Sequence, residues 1–401
     1  MSQPHLTFLS LVITIPLGMV PLAHSQPRDL RFDHLSTPQG LSQDIVTAII
    51  QDHQGLMWFG TEDGLNRYDG YSMKIYKYDT RDSTTVSLNG IGDIYEDSRG
   101  RLWIGTSNGL NLFDRDRDRF IRFAHDPGNG GSLSNNGVSM IREDRHNMLW
   151  VATAKGLNRY DEDKQVFVRY FHDPHDSTSI NADGVISLLL DRMGTLWFTT
   201  TNGICRYDET TDRFTRYLFE KRTSLQRRIL QLHEDRAGKL WAIQADNGIW
   251  SFDVANNIFA PLPRPVGAAP ANAHELAGGV VNNIAEDARG YLWIGHFNGL
   301  DVFDPQAGTF AHYSTDPMDP ASVSGRVITI YRDRVGVMWL GTFQGGVDRC
   351  DPNRQKFLSY RSTSNSESGL SSNYVTAVYE DKADYVWIGT DGGLDRFDPR
   401  T

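Results

Sequence analysis

Two segments of this chain offer residue types that bind metal ions, but their spacing does not suit a metal site. Asp114–Arg119 has aspartate at alternate positions, as at the start of a calcium-binding loop. However, the glycine and the terminal glutamate of such a loop are missing. His172–Asp176 offers two histidines and two aspartates around Pro174, which marks a turn. Both segments are interpreted as solvated turns, and we predict no metal site and no cofactor.

Acid–base catalysis would need two convergent carboxyl groups that differ from their counterparts elsewhere in the chain. The sequence offers no such pair that stands out from its surroundings. No catalytic residue is therefore predicted.

Binding chemistry is better represented, in a series of turns that have constant flanks and variable tips. After a recurring Gly-Thr or its equivalent, each copy carries different residues, as a binding face on a rigid scaffold would. Phe297 and Phe343, with His296 nearby, would suit stacking on a sugar and recognition of its hydroxyl groups. The candidate ligand-binding residues are Glu62, Asn108, Lys155, Asn202, His296, Phe297, Phe343, Gln344 and Asp391.

These turns belong to a pattern that occurs eight times along the chain. Each copy runs from an aspartate turn through a tryptophan and a Gly-Leu turn to an aromatic residue followed by aspartate. The tryptophans recur every 44 to 52 residues, near the length of one four-stranded propeller blade. The structural anchors of the repeats are Trp58, Trp103, Trp150, Trp197, Trp241, Trp293, Trp339 and Trp387.

Each repeat is expected to supply four short strands. The first alternates apolar residues, as in residues 45–51, and should lie nearest the axis. The second carries the tryptophan, whose large apolar face suits packing between neighbouring blades. The turns from second to third strand and the loops from fourth to first strand should share one face of the disc. The candidate ligand-binding residues would then all lie on that face.

The segment before the first repeat is expected to close the ring. Leu30–Leu35 looks like a fourth strand without preceding partners, so it should complete the last blade. The strand count alone would fit eight blades. However, the lead into repeat eight, Gly369–Val375, resembles the lead into repeat one, Gly40–Val46. The favoured prediction is an all-β propeller of seven blades (residues 26–360) plus the start of a second propeller (residues 361–401), with eight blades as the alternative.

Charge and cysteine content exclude several classes of protein. A net charge of −10 and a pI near 5.6 argue against binding to nucleic acid or to anionic membrane surfaces. Cys205 and Cys350 occupy corresponding third strands three repeats apart, too far around a ring for a disulfide. Both are predicted to be small packing residues.

The first 25 residues are predicted to form a secretory signal peptide. They contain no Asp, Glu, Lys or Arg, and Leu6–Leu22 is mostly apolar. Ala23–Ser25 has the small-x-small pattern of a cleavage site. A membrane anchor is the alternative, but the apolar run is short and is interrupted by Pro16 and Pro21. Export to the periplasm is therefore expected.

The repeats resemble those of the two-component regulator propeller family, most closely in Trp58–Gly70 and Trp387–Asp398. The resemblance covers roughly residues 30 to 400, and repeat five departs furthest, with Ala242-Ile-Gln after its tryptophan. In that family, seven-bladed propellers, often two in tandem, form the periplasmic sensor of membrane-bound signalling proteins. A β-sandwich, a transmembrane helix and a histidine kinase or diguanylate cyclase commonly follow.

The resemblance implies a non-catalytic periplasmic sensor domain that binds an oligosaccharide or another small nutrient. This sequence carries no kinase signature, so a kinase or cyclase output module is expected in a longer chain or in a partner protein. Sensors of this kind often act as homodimers, through segments that this chain does not contain. The alternative functions are a scaffold for another protein and, less favoured, a propeller glycosidase or lyase.

Overall fold

The computed structural model describes residues 30–217, 229–244, 248–262, 280–352, 360, 362, 369–383 and 385–398. The predicted signal peptide, residues 1–25, lies outside the described residues. The chain divides into two compact units, Met1–Pro352 and Asn353–Thr401.

The first unit contains seven antiparallel sheets of four strands each. Strand β1 (Asp33–Leu35) comes first, followed by a short 3-10 helix (Thr37–Gln39). Six sheets then follow in chain order, each running from its innermost to its outermost strand. Blade I has β2 (Val46–Gln51), β3 (Met57–Thr61), β4 (Gly64–Tyr68) and β5 (Met73–Tyr76); blade II has β6 (Ile91–Glu96), β7 (Leu102–Thr106), β8 (Gly109–Asp114) and β9 (Arg119–Phe123); blade III has β10 (Val138–Glu143), β11 (Leu149–Thr153), β12 (Gly156–Asp161) and β13 (Val166–Tyr170).

The remaining blades repeat this order. Blade IV has β14 (Val185–Leu190), β15 (Leu196–Thr200), β16 (Gly203–Asp208) and β17 (Arg213–Tyr217); blade V has β18 (Ile229–Glu234), β19 (Leu240–Gln244), β20 (Gly248–Asp253) and β21 (Ile258–Pro261); blade VI has β22 (Val281–Glu286), β23 (Leu292–His296), β24 (Gly299–Asp304) and β25 (Thr309–Tyr313). Blade VII consists of β26 (Arg326–Arg332), β27 (Met338–Phe343), β28 (Val347–Cys350) and β1.

The seven blades form a closed ring. Each innermost strand packs against the innermost strand of the next blade, and β26 packs against β2. The outer position of blade VII is filled by β1, where Asp33 pairs with Arg349 and Leu35 with Val347. The seven-bladed prediction is therefore confirmed, and the eight-bladed alternative is wrong because the closing strand completes the seventh sheet.

The second unit contains one three-stranded antiparallel sheet. Its strands are β29 (Val375–Glu380), β30 (Val386–Thr390) and β31 (Gly393–Phe397), and they carry the eighth repeat. That this sheet begins a second propeller remains a prediction.

The core of the ring lies between neighbouring blades. Trp58 of blade I is fully buried and packs with Ile94, Ile104 and Phe113 of blade II, its ring centroid 5.3 Å from that of Phe113. Equivalent clusters recur around the ring. Each blade thus buries its apolar residues against its neighbours in the ring, as in other repeat proteins.

Every tryptophan anchor also donates a hydrogen bond that the sequence reasoning did not anticipate. The indole N–H donates to the carboxylate of the aspartate six residues earlier, at 2.7 to 3.3 Å in all eight repeats. The other oxygen of the same carboxylate accepts backbone N–H groups of the intervening turn, such as that of Leu56 at Asp52. Burial alone would raise the pKa of Asp52, but hydrogen bonds from Trp58 and Arg115 outweigh it and hold the pKa below its usual range.

Both cysteines are buried. Burial raises the pKa of the Cys205 thiol to about 12, so this residue is an inert packing group. In the part of the chain that the structure describes, no helix is long and apolar enough to cross a membrane.

His34 joins the closing strand to blade VII. Its Nδ1 lies 2.6 Å from Oδ1 of Asp348, and its Nε2 lies 2.9 Å from the carbonyl oxygen of Pro320. The hydrogen bond with the Asp348 carboxylate raises the pKa of His34 above its ordinary value, although partial burial opposes this shift. Arginines occupy the equivalent place in blades II to IV and bind loop carbonyls in the same way: Arg122, Arg169 and Arg216.

This contact predicts a pH dependence of ring stability. Because the pKa of His34 is raised on folding, its contribution is complete below the unfolded pKa near 6.5 and is lost as pH rises through the folded pKa. We expect His34→Gln to remove roughly 1 kcal/mol of stability at pH 6 and much less at pH 9. Urea unfolding of both proteins at the two pH values measures this difference. An equal loss at both values would exclude titration of His34 as the cause.

Candidate functional site

The turns between second and third strands lie beside the loops that lead into the next blade. The backbone N–H of Gly64 donates to the carbonyl of Asn89 at 2.9 Å, and that of Gly109 donates to Asn136 at 2.8 Å. The bond from Gly156 to Asp183, at 2.7 Å, repeats the arrangement in blade III. Turns and loops therefore share one face of the ring, called here the loop face.

A buried polar network fixes these loops. In blade II, Ser87 N–H donates to Oδ1 of Asn111, the Asn111 amide donates to Ser87 Oγ, and Ser87 Oγ lies 2.8 Å from Thr106 Oγ1. Blades I and III repeat the same contacts. The sequence reasoning missed this network, although its serine, threonine and asparagine recur at separations of 19 and 24 residues. Because the network is buried and satisfied, it gives the loop face a rigid base.

Blade VI replaces this network with two histidines and an aspartate. His296 stands where five of the other blades have a buried threonine and blade V has Gln244, and it is 1% exposed. Its Nδ1 accepts the backbone N–H of Asn298 at 3.1 Å, and its Nε2 lies 3.1 Å from Oδ1 of Asp301. His312 Nδ1 lies 2.7 Å from the same oxygen. The expectation that His296 faces a ligand is therefore corrected: its position turns inward in every blade, as the buried threonines do.

One cleft on the loop face brings together three of the sequence-predicted residues, Phe297, Phe343 and Gln344. It lies across blades VI and VII and has a volume of about 550 Å³. Phe297 is 41% exposed and Phe343 is 37% exposed, so both rings are open to solvent. The cleft is lined by Phe297, Asn298, Ser314, Thr315, Ser324, Gly325, Arg326, Phe343 and Gln344.

Arg326 lines this cleft and is not among the residues predicted from the sequence. It is the first residue of β26 and pairs in register with Phe343 at the end of β27. Its guanidinium carbon lies 4.5 Å from the ring centroid of Phe297 and 5.3 Å from that of Phe343. Five blades have glycine or another uncharged residue at the equivalent place (Ile45, Gly90, Gly137, Gly184 and Val280), but the sequence of blade V has an arginine there as well, Arg228.

Ring closure holds the turn that carries Phe343 and Gln344. The backbone N–H groups of Gln344 and Gly346 both donate to the carbonyl of Asp44, at 3.1 and 2.9 Å. Gly346 has φ +77°, and a Cβ atom there would collide with the carbonyl oxygen of Leu35. The cleft is thus positioned by residues from both ends of the ring.

The other sequence-predicted residues do not line this cleft. Glu62 and Lys155 are exposed at the tips of turns in blades I and III. Asn108 and Asn202 brace their own blades, since their side-chain amides donate to loop carbonyls at 3.1 and 3.4 Å. Asp391 belongs to the second unit, where it is exposed.

The two segments that suggested metal binding are held by protein donors. Asp114 accepts hydrogen bonds from Arg117, and Asp118 accepts them from Lys74 and Tyr76. In the segment His172–Asp176, His172 contacts a loop carbonyl, and Asp176 accepts hydrogen bonds from a threonine and an arginine. The residues of both segments therefore stabilise turns.

The family model of the two-component regulator propeller matches residues 40–63, 85–108, 275–298, 322–344 and 369–392. Among curated proteins, histidine kinase P4 of Formosa agariphila is 43% identical over 63 residues, which is 16% of this chain and 5% of that protein. The chain therefore covers only a small part of that relative.

Solved structures extend the similarity over most of the chain. The extracellular domain of a protein described as a hybrid two-component system of B. thetaiotaomicron matches with TM-score 0.76 and 23% identity, over 92% of this chain and 48% of that one. A second extracellular domain from the same organism, of a protein described as a one-component system, matches with TM-score 0.65 and 21% identity, over 92% and 52%. The chain spans about half the length of both domains.

A virginiamycin B lyase of Staphylococcus aureus is also similar, with TM-score 0.58 and 13% identity, over 80% of this chain and 98% of that one. At these identities the structural matches show the propeller fold alone. The matched segment 322–344 includes residues that line the cleft. Five of the eight repeats of this chain are two-component regulator propeller repeats.

Proposed function

We propose that this chain is the ligand-sensing domain of an exported signalling protein and that it binds its ligand in the cleft around Phe297 and Phe343. The main observation in support is that two exposed aromatic rings and several polar groups line the same cleft on the rigid loop face. The similarity to the extracellular domains of proteins described as a hybrid two-component system and a one-component system supports the signalling role. The location outside the cytoplasm follows from the same similarity and from the predicted signal peptide.

The cleft has the composition of a carbohydrate site. Phenylalanine faces can stack on the apolar face of a sugar ring, while hydroxyl and amide groups such as Thr315 and Gln344 bind its hydroxyl groups. Its volume of about 550 Å³ lies within the range of small-molecule sites. An oligosaccharide is therefore the proposed ligand, with another small nutrient as the broader class.

The proposed role is binding without catalysis. The described lining consists of aromatic, hydroxyl, amide and guanidinium groups. Glycoside cleavage would instead use a pair of carboxyl groups that flank the bond. Incubation with candidate oligosaccharides, followed by chromatography, tests this point: new, shorter products would contradict a pure binding role and favour the glycosidase or lyase alternative.

Signal output is proposed to come from a kinase or cyclase module in a longer chain or in a partner protein. Homodimerisation of the complete sensor belongs to the same proposal. A ligand-dependent increase in the molar mass of the complete sensor, measured by light scattering, tests this dimerisation.

We expect Phe297→Ala and Phe343→Ala each to raise the Kd for the ligand about tenfold, which corresponds to about 1.4 kcal/mol for a lost stacking contact. The ligand is first found by thermal-shift screening of oligosaccharides, and Kd is then measured by calorimetry. The matched control is Phe171→Ala, because Phe171 is also 41% exposed and lies on the loop face, after β13.

An equal loss of affinity in the Phe171 variant, or none in the cleft variants, would refute the assignment of the cleft. Capture of one specific extracytoplasmic protein, with no response to any sugar, would instead favour the scaffold function.

A further inference from the structure

We propose that the ligand carries an oxyanion, a carboxylate or a sulfate, and that Arg326 binds it. This inference rests on the proposed function, because it assigns a charge class to the ligand of the same cleft. The conclusion comes from the geometry of the guanidinium group and from the contacts that it makes.

The guanidinium group of Arg326 contacts two aromatic rings. Phe297 and Phe343 lie 4.5 and 5.3 Å from its carbon atom, measured to the ring centroids. Such cation–π contacts cover the faces of a guanidinium and leave its N–H edge available. The rings therefore restrict the orientation of Arg326 before any ligand arrives, which lowers the entropy that binding would cost.

Several other arginines of the ring pair with carboxylates. Arg115 pairs with Asp52 and Glu96 at 2.8 and 2.7 Å, and Arg101 with Asp97 at 2.6 Å. Within the described part of the chain, Arg326 has only its ring contacts and its backbone pairing, with no ion pair and no side-chain hydrogen bond. The one charged group in the cleft lining therefore keeps its full hydrogen-bonding capacity for a ligand.

An oxyanion is the group that best fits such a guanidinium. Its paired N–H donors match two oxygens of a carboxylate or sulfate, and these charge-assisted bonds are stronger than bonds to neutral hydroxyl groups. The hydroxyl groups of Ser314 and Thr315 line the same cleft and can donate to the same anion.

The net charge of the whole protein also bears on the selectivity of the cleft for an acidic ligand. With a net charge of −10, the chain repels anions in general, so an acidic ligand must be held by a local positive group. Arg326 is that group in the cleft. An acidic oligosaccharide, with uronate or sulfated residues, is the ligand class that uses both the rings and the guanidinium.

The test uses the protein with its signal peptide removed and matched pairs of oligosaccharides. Oligogalacturonate is compared with its methyl ester, and a sulfated galactan oligosaccharide with its desulfated form, by calorimetry at low and high salt. We expect one acidic member to bind at least tenfold more tightly than its neutralised form. Its affinity should fall with rising salt, because a charge–charge contact is screened.

The variant Arg326→Gln should abolish this preference, lowering the affinity for the acidic member about tenfold and leaving that for the neutral one unchanged. Arg326→Lys keeps the charge but not the paired donors, so it should restore only part of the affinity. The matched control is Arg332→Gln, which removes the same charge from the other end of β26 and should leave binding unchanged. Unchanged melting temperatures would separate these effects from loss of structure.

The outcomes distinguish this inference from the proposed function. A preference for the acidic member of the carboxylate pair or of the sulfate pair supports the inference and identifies the anion. Binding of neutral sugars that depends on Phe297 but not on Arg326 overturns it and leaves the sensor proposal standing. If no sugar binds in a manner that depends on Phe297 and Phe343, both are overturned.

Discussion

Replacing Trp150 by alanine is expected to lower the free energy of unfolding of the ring by about 4 kcal/mol. Trp150 is fully buried, and its ring centroid lies 5.5 Å from Tyr170 of its own blade and 4.7 Å from Tyr207 of the next. Its indole N–H donates to Asp144 at 2.7 Å. Removing the side chain leaves a cavity between blades and a carboxylate without its donor, and equilibrium unfolding in urea measures the cost.

Two further variants separate the causes. Trp150→Phe keeps most of the volume and removes the hydrogen bond, so it should cost about 1 to 2 kcal/mol. Trp387→Ala makes the same large change in the second unit, where the tryptophan is partly exposed, and should leave the main unfolding transition unchanged. A loss below 1 kcal/mol for Trp150→Ala would show that packing between blades contributes little to the ring.

The second large effect is expected at the closing strand. Phe32 is 3% exposed and packs with Leu300, Val327 and Met338, beside the three paired residues of β1. Phe32→Ala should cost about 3 to 4 kcal/mol and release β1 from β28, because so short a strand depends on this buried anchor. Hydrogen exchange at Val347–Cys350 should therefore accelerate, and ligand affinity should fall with it.

The control for this prediction is Phe310→Ala in blade VI. Phe310 is 5% exposed and lies in an outermost strand, but that strand belongs to a continuous hairpin. Its loss should destabilise the ring by a similar amount without selective exchange at β28. Equal exchange in both variants would mean that β1 is not the weak point of closure.

The sequence predicted the blades well because their signals are local. Alternating apolar residues, the tryptophan and the aspartate turn recur within each repeat, and the antiparallel four-stranded pairing follows from them. The number of blades could not be predicted in the same way, since eight repeats and one extra strand fit either seven or eight blades. The choice depends on how far each blade is rotated from the next, which packing between blades decides.

The candidate site was only partly predictable. Phe297, Phe343 and Gln344 stood out because they vary between constant flanks, and the structure brings them together. Arg326 lies outside those flanks, and its contact with the two rings arises from strand pairing with Phe343 across a hairpin. The prediction that His296 faces a ligand is wrong, because its position corresponds to a buried threonine in five of the other blades.

The closing contacts also determine the order in which the protein can be completed. His34 meets Asp348, its partner 314 residues later, and Asp44 holds the turn of Phe343 and Gln344. During synthesis, the early strand must therefore wait without a partner until nearly the whole ring has been made, and closing so long a loop costs conformational entropy. The cleft is assembled last, so an unfinished ring lacks the proposed binding site.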